Sequence, residues 1–324
     1  LSAVTWYRFQ LKAVGDNADT SSLSNAVVAK PIYCEDDGDG FSARASGAGS
    51  FSAQSGGASS SGNSTFPGVP AGVSATDALH FEGAPRSVAG TRLVTLREGR
   101  GRGLSLDRVR LLAVDHARGT EVTYATDGRF VSGIRVPATA VRDEAGRDLL
   151  AAATGSASEP VYADSGAILS VALPDSSATG VRFLLLETAA GGGPNEGVAV
   201  ETSLGSEVWT SLVTIHPRRH WSTLAVPLGV TSSVRLRFRG AHALRYVGLL
   251  GEASLPTPQE ALLLGATSGS GADWTDEARL ADGTNAVVQA GDTLSMSFQD
   301  VGAEGSDARD WFLILEGMPV SPSV

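Results

Sequence analysis

The sequence has a single cysteine, Cys34, so no disulfide can form within the chain. It has only two lysines, Lys12 and Lys30, and no unbroken apolar run of about 18 residues, the length that a membrane-spanning helix needs. Charged residues make up 19% and the net charge is −10, whereas binding to nucleic acid requires a basic face. We therefore expect no disulfide scaffold, no membrane span and no nucleic-acid partner.

The sequence does contain many short segments in which apolar and polar residues alternate with a period of two. From residue 77 onward they are separated by turns rich in Gly, Asp, Pro and Ser. Within 234–239, for example, apolar residues alternate strictly with arginines, which is typical of a strand with one buried face. No segment shows a helical period. The sequence therefore predicts an all-β fold with two or more β-sandwich or jelly-roll-like domains and an N-terminal β-hairpin.

The predicted N-terminal hairpin spans residues 1–31, where a polar turn separates two strand patterns. Because an isolated hairpin is marginally stable in water, its apolar side chains need a cover. Either the rest of its domain precedes it, or it packs on another part of the chain or on another subunit. We assign an assembly role to its apolar residues, Tyr7, Phe9, Leu11 and Val27.

The same segment resembles the last two strands of a fibronectin type III domain. The matching positions are Tyr7, Phe9, Leu11, Ala13, Val14, Ser22, Leu23, Ser24, Asn25 and Pro31. The resemblance covers about 30 residues and implies the closing hairpin of such a sandwich.

Residues 34–76 have a different composition. The acidic turn at 35–40 contains Asp37 and Asp39, which could begin a calcium loop, but no later ligand series follows, so a plain turn is favoured. The stretch 42–64 consists largely of Ser, Gly and Ala, which predicts a flexible linker. The alternatives are burial against a neighbour in an assembly, or a strand of the following sandwich between Ser42 and Gln54.

An internal repeat is visible in the second half of the chain. Residues 166–173 match 291–298 at a spacing of 125, and 182–187 match 311–316 at a spacing of 129. Upstream, 109–113 is a further candidate match to 261–265. Such a repeat indicates duplication of a packing unit. The predicted organisation is a hairpin at 1–33, a Gly/Ser/Ala-rich segment at 34–76, and sandwich halves at 77–190 and 191–324.

The stretch 104–318 resembles β-rich accessory modules of long secreted or surface-displayed bacterial proteins. The carrying motifs are Leu111 to His116, Arg147 to Leu150, Ile215 to Arg218, Tyr246 to Leu249 and Arg309 to Leu313. The resemblance implies a secreted or cell-surface location more than an activity.

Catalytic motifs are missing from the sequence. His216 and His220 are separated by Pro217, which disfavours a helical metal pair, and Asp115 and His116 point to opposite faces of a strand. Paired carboxylates of a hydrolase come from distant strands, and Glu187 and Glu316 end equivalent predicted strands; we interpret both as strand-end partners of arginines or loops. We expect no enzyme activity, no cofactor and no metal.

Two hypotheses remain. The first is a non-catalytic extracellular structural protein that associates with copies of itself through β-strand or hairpin contacts, into a filament or a surface layer. The second is a carbohydrate-binding accessory module for a polysaccharide, since tryptophan beside arginine suits sugar recognition. The candidate glycan-binding residues are Trp209, Arg218, Trp221 and Tyr246.

Overall fold

The computed structural model describes residues 73–97 except 82, then 103–174, 182–191, 197–203, 208–218, 221–229, 233–289, 292–302 and 308–320, and the backbone of four strand segments nearer the N-terminus. The prediction of an all-β fold is confirmed, since one short helix, α1 (Leu150–Ala153), accompanies many strands. The strands are β1 (Tyr7–Phe9), β2 (Val27–Ala29), β3 (Ser42–Ala45), β4 (Phe51–Gln54), β5 (Ala75–Phe81), β6 (Ser87–Val88), β7 (Thr91–Arg97), β8 (Gly103–His116), β9 (Glu121–Tyr124), β10 (Phe130–Pro137), β11 (Ala140–Asp143), β12 (Val161–Ala163), β13 (Ile168–Ala172), β14 (Arg182–Ala190), β15 (Val198–Thr202), β16 (Thr210–Ile215), β17 (Ser222–Leu228), β18 (Ser233–Phe238), β19 (His242–Ser254), β20 (Gln259–Ala261), β21 (Leu263–Ser268), β22 (Ala286–Val288), β23 (Thr293–Gln299) and β24 (Ala308–Val320).

The described residues within 38–324 form four sheets. Sheet 1 has the order β21–β23–β7–β3, with β6 on β7, and sheet 2 has the order β20–β8–β24–β5–β4, with β22 on β8. Sheet 3 has the order β17–β14–β19–β10–β9, with β12 on β19, and sheet 4 has the order β11–β13–β18–β15–β16. Neighbouring strands along these orders run antiparallel, for example β8 and β24 over thirteen paired positions.

The four sheets form two sandwiches, one inserted in the other. Sheets 3 and 4 come from residues 121–254 and enclose one apolar core, whereas sheets 1 and 2 combine 42–116 with 259–320 around another. This arrangement divides the chain differently from the predicted halves 77–190 and 191–324, because β24 lies between β8 and β5 across that boundary. Local alternation indicates strands, but long-range packing decides which strands pair.

The two sandwiches share a strand order. In sheet 3 the order β17–β14–β19–β10, with β12 on β19, corresponds position by position to β5–β24–β8–β20, with β22 on β8, in sheet 2. Sheets 4 and 1 correspond in the same way, as β11–β13–β18–β15 and β21–β23–β7–β3. The similar sequence pairs β13 with β23 and β14 with β24 therefore hold equivalent places. Residues 109–113 and 261–265 do not, since Leu111 and Ala261 are paired neighbours.

A third apolar cluster joins the two sandwiches. The face of sheet 2 that points away from sheet 1 packs on β9 and β10, and Phe312 meets Phe130 there edge to face at 4.9 Å between ring centroids. Sheet 2 is therefore buried on both faces at its centre. That burial explains why 311–315 is an unbroken apolar run in which each residue is at most 2% exposed.

Sheet 3 curls until its edge strands meet. Ala125, just after β9, forms a parallel bridge with Ala225 of β17, and the amide of Thr126 donates to the carbonyl of Ala225 at 2.9 Å. The interior of the curl holds a small apolar cluster, which comprises Ala125, Val131, Phe183, Leu185, Ala225, Tyr246 and Leu250. Charged side chains lie beyond this cluster, at one end of the curl.

Residues 1–37 form a separate compact unit. Its described part is the antiparallel ladder of β1 and β2, in which Tyr7 pairs with Ala29 and Phe9 with Val27. The side chains of these strands, and Leu11, Asp37 and Asp39, lie outside the described residues. The predicted assembly surface and the calcium question therefore stay predictions.

The Gly/Ser/Ala-rich tract contributes two strands to the sandwich that follows it. Within it, β3 pairs with β7 in sheet 1, and β4 pairs with β5 in sheet 2. The structure therefore agrees with the alternative that Ser42 to Gln54 contributes strands to the following sandwich.

Candidate functional site

Four charged side chains converge at the end of the curl in sheet 3, and each comes from a different strand. They are Glu121 of β9, Arg135 of β10, Glu187 of β14 and Arg245 of β19. We call them the arginine–glutamate cluster. Alternate residues of a strand share one face of the sheet. Charged residues of neighbouring strands can therefore gather at one end of the curl, while the apolar residues of the same face fill its interior.

A β-bulge supplies the fourth member of this cluster. Along the β14–β19 ladder Glu187 is opposite Tyr246, but the next residue, Thr188, is opposite Leu244. Arg245 is thus the extra residue of β19. Successive residues of a regular strand point to opposite faces, but a bulge changes this alternation. Arg245 and its neighbour Tyr246 therefore both contact the cluster around Glu187.

The hydrogen bonds of the cluster form a chain of alternating charge. Arg135 holds Glu121 with two bonds, Nε to Oε2 at 2.5 Å and Nη2 to Oε1 at 2.8 Å. Its Nη1 donates to Glu187 Oε2 at 2.9 Å, and Arg245 donates to Glu187 Oε1. Each Glu187 oxygen therefore accepts a charge-assisted bond from a different arginine, an arrangement that fixes the carboxylate in one orientation.

Two aromatic rings support the guanidinium groups. The guanidinium carbon of Arg135 lies 4.7 Å from the ring centroid of Tyr246, and that of Arg245 lies 4.8 Å from the ring centroid of Trp221. Both distances are within cation–π range. The rings thus stabilise the positive groups from the sheet side.

Burial and pairing act in opposite directions on Glu187. Burial alone would raise its pKa, but the bonds from Arg245 and Arg135 outweigh this effect and hold the pKa below the usual value of a glutamate. Burial raises the pKa of Tyr246 to about 12. Glu187 is therefore a carboxylate and Tyr246 a neutral phenol at neutral pH, so neither is suited to exchange protons there.

Of the four predicted glycan-binding residues, the structure brings two into this cluster and places two elsewhere. Trp221 and Tyr246 contact its two arginines. Arg218 is only 7% exposed and pairs with Asp77 of β5, which is 1% exposed, so it is an internal tie between the two sandwiches and not a ligand-facing group. The sequence around Arg218 does not reveal this pair, because Asp77 is about 140 residues away. Glycan binding by these four residues stays a prediction.

Trp209 lies on the other side of the inserted sandwich. Its ring centroid is 4.8 Å from the guanidinium carbon of Arg235, a residue of sheet 4. Sheets 3 and 4 turn their inner faces to a common core, so the outer face of sheet 4 and the interior of the curl are opposite surfaces. Trp209 and Trp221 therefore lie beside different arginines on opposite surfaces of the inserted sandwich.

Sequence reasoning missed Glu121, Arg135 and Arg245. Glu121 and Arg135 lie near strand ends, and each continues the alternate positions of the buried residues in its strand. This pattern indicates which face each residue shares, but it does not identify the partner strand. The bulge at Arg245 has no local sequence mark. Glu187 was interpreted as a strand-end partner of arginines. It does pair with two arginines, but it lies within β14 and not at its end, because that strand continues to Ala190.

Other candidate residues are engaged elsewhere. Glu316 lies 3.7 Å from Arg110, and Asp115 pairs with Arg309 at 2.6 Å. His116 faces Asp310 at 3.5 Å. Among the described residues, no group of three metal-binding side chains could hold an ion, and no helix is long and apolar enough to cross a bilayer.

Comparison with known proteins finds no family model, no curated protein and no solved structure that matches the chain. The fold therefore defines the class: an all-β protein of sandwich-like sheets.

Proposed function

We propose that this chain is a non-catalytic structural protein, secreted or displayed on a bacterial cell surface, that self-associates through β-strand contacts. The resemblances to a fibronectin type III hairpin and to accessory modules of secreted proteins support the location. The proposed mode of association rests on one observation: the central strand β24 of sheet 2 comes from the far end of the chain.

The sandwich of sheets 1 and 2 depends on a segment from the far end of the chain. Residues 259–320 supply more than half of the buried residues in its core, including Trp311, Leu313 and Leu315. They also supply β24, which lies between β8 and β5. A sheet that receives its central strand from a distant segment can receive the same strand from a second copy, with identical contacts.

The link before this segment favours such an exchange. Residues 255–258 read Leu-Pro-Thr-Pro and connect β19 to β20. Proline favours an extended backbone, so this link resists folding back sharply. An extended link favours the exchanged form, in which 259–320 reaches a second copy. Two copies that exchange 259–320 reciprocally give a closed dimer, and continued exchange in one direction gives an open chain.

The charged groups support a non-catalytic role. Two carboxylates of sheet 3, Glu121 and Glu187, share one arginine, and Glu187 is held ionised. A glycoside hydrolase needs one carboxyl group that keeps its proton near neutral pH. The cluster instead ties four strands together, which is a structural role.

The test is a disulfide that reports which chain supplies β24. Thr76 of β5 and Glu316 of β24 are directly opposite each other and half-buried. In a chain with Cys34→Ser, the pair Thr76→Cys and Glu316→Cys has the separation that a disulfide requires, because paired strand residues lie about 4.5–5.5 Å apart. Exchange is expected to give covalently linked dimers and larger species on a non-reducing gel.

A matched pair gives the control. Thr202→Cys with Thr210→Cys joins β15 to β16, neighbours in sequence, and is expected to stay within one chain. If both pairs run only as monomers at concentrations where the protein is associated, exchange of 259–320 is not the mode of association. If the protein never associates, the proposed function itself fails.

A further inference from the structure

The outer face of sheet 4 is a polar platform built on the inserted sandwich. Strand alternation sends Val234, Leu236 and Phe238 of β18 into the core and leaves Arg235 and Arg237 on the opposite face. The pairing register sets their neighbours. Arg142, Ser170, Arg235, Glu201 and Ser211 follow one another across the five strands in a single row.

One carboxylate positions two of these arginines. Nε of Arg235 donates to Glu201 Oε2 at 3.0 Å, and Nε of Arg237 donates to Glu201 Oε1 at 3.0 Å. Within the described part of the chain, the terminal nitrogens of both guanidinium groups have no acceptor. Glu201 therefore aligns two forks whose outer donors remain available for an anion.

Glu201 can hold both arginines because its carboxyl group is ionised. Burial alone would raise its pKa, but the bonds from Arg237 and Arg235 hold the pKa below the usual value of a glutamate. Its side chain is only 12% exposed, whereas that of Arg237 is 40% exposed. The negative charge is thus covered while the positive groups reach solvent.

Trp209 and Arg142 extend the platform. The indole of Trp209 supports Arg235 from one side. Arg142 is exposed on β11 in the same row, one strand beyond Ser170. The outward side chains of β11, β18 and β15 thus carry Arg142, Arg235 and Arg237 beside the carboxylate of Glu201, although the whole chain has a net charge of −10. At the edge of the sheet, Asp148 is the bridge partner of Arg142.

We propose that the outer face of sheet 4 binds an acidic polysaccharide, whose carboxylate or sulfate groups are held by Arg235 and Arg237. A sheet with planar donors on alternate residues of one strand, about 7 Å apart, suits a polymer with regularly repeated anions. The adjoining tryptophan suits a sugar ring more than a bare ion. This site lies apart from residues 259–320, so it does not depend on the proposed strand exchange.

Affinity electrophoresis in gels that contain polygalacturonate, dextran sulfate or neutral dextran separates the sources of the anion. We expect retardation by at least one acidic polymer, weaker retardation at higher salt, and none by dextran. Retardation by carboxylate or by sulfate polymer alone identifies the preferred group. Equal retardation by dextran, or no retardation by any polymer, would overturn the proposal.

Variants locate the site. Arg237→Ala is expected to weaken binding about tenfold, the effect of losing one charge-assisted contact. Arg237→Lys should recover only part of it, because an ammonium lacks the planar fork. The matched control is Arg279→Ala in the other sandwich, whose side chain is 39% exposed and also bonded to a carboxylate, Asp276. Equal effects of Arg237→Ala and Arg279→Ala would place the binding elsewhere.

Discussion

Removal of Arg218 tests whether the two sandwiches are tied by a buried ion pair. Arg218 follows β16 in the inserted sandwich, and Asp77 belongs to β5 of the other one. Asp77 is only 1% exposed, so Arg218→Ala takes its arginine away from a carboxylate in the interior. Breaking a buried pair from one side costs about 3–5 kcal/mol. That is a large part of the roughly 5–15 kcal/mol by which domains are stable.

Urea unfolding followed by tryptophan fluorescence measures this cost. With a slope of about 1–3 kcal/mol per molar urea, the Arg218→Ala midpoint should fall by about 1 M or more. Replacing both partners, as Asp77→Leu with Arg218→Met, should recover most of the loss because both charges of the pair are removed together.

The control is Arg147→Ala. Arg147 also bonds to an aspartate, Asp143, but its side chain is 77% exposed, so its loss should cost less than about 0.5 kcal/mol. If Arg218→Ala costs no more than Arg147→Ala, the tie between the sandwiches is not the buried pair, and the reasoning is refuted.

Three further predictions concern packing and pH. Phe312→Ala, at the junction between the sandwiches, should cost about 3–5 kcal/mol in urea unfolding; a cost near 1 kcal/mol would mean that the junction is loose. Gly248→Ala places a Cβ 2.3 Å from a backbone carbonyl oxygen and should cost about 1–3 kcal/mol, whereas Gly83→Ala has open space and should be neutral. The lowered pKa of Glu187 means that the native state binds fewer protons than the unfolded chain, so its stabilising effect is complete above about pH 5 and is lost as the pH falls below about 4. Glu187→Gln should therefore show a weaker loss of stability on acidification in urea titrations from neutral to acidic pH; an unchanged pH profile would contradict this.

The strands could be predicted from the sequence because each carries its own pattern. The alternation in 234–239 gives both the strand β18 and its buried face, and the match of 182–187 to 311–316 predicts strands in equivalent places. The insertion of one sandwich in the other could not be predicted. Segments with similar patterns compete for the same partners, and only long-range packing decides among them.

The candidate sites show the same limit. The alternation places Arg235 and Arg237 on one face, but Glu201 joins them only through the register of β15 on β18. In sheet 3, the position of Arg245 depends on a bulge that no turn residue marks. Arg218, which was predicted as a ligand residue, lies in the interior beside Asp77. The sequence does not indicate this pair, because the two residues are far apart along the chain.

Sedimentation velocity of the unmodified chain over a wide range of concentration tests the central claim of self-association most directly. We predict a mass that rises above the 33.2 kDa of one chain as the concentration increases. A single species of that mass at every concentration, in native buffer and without denaturant, would contradict it.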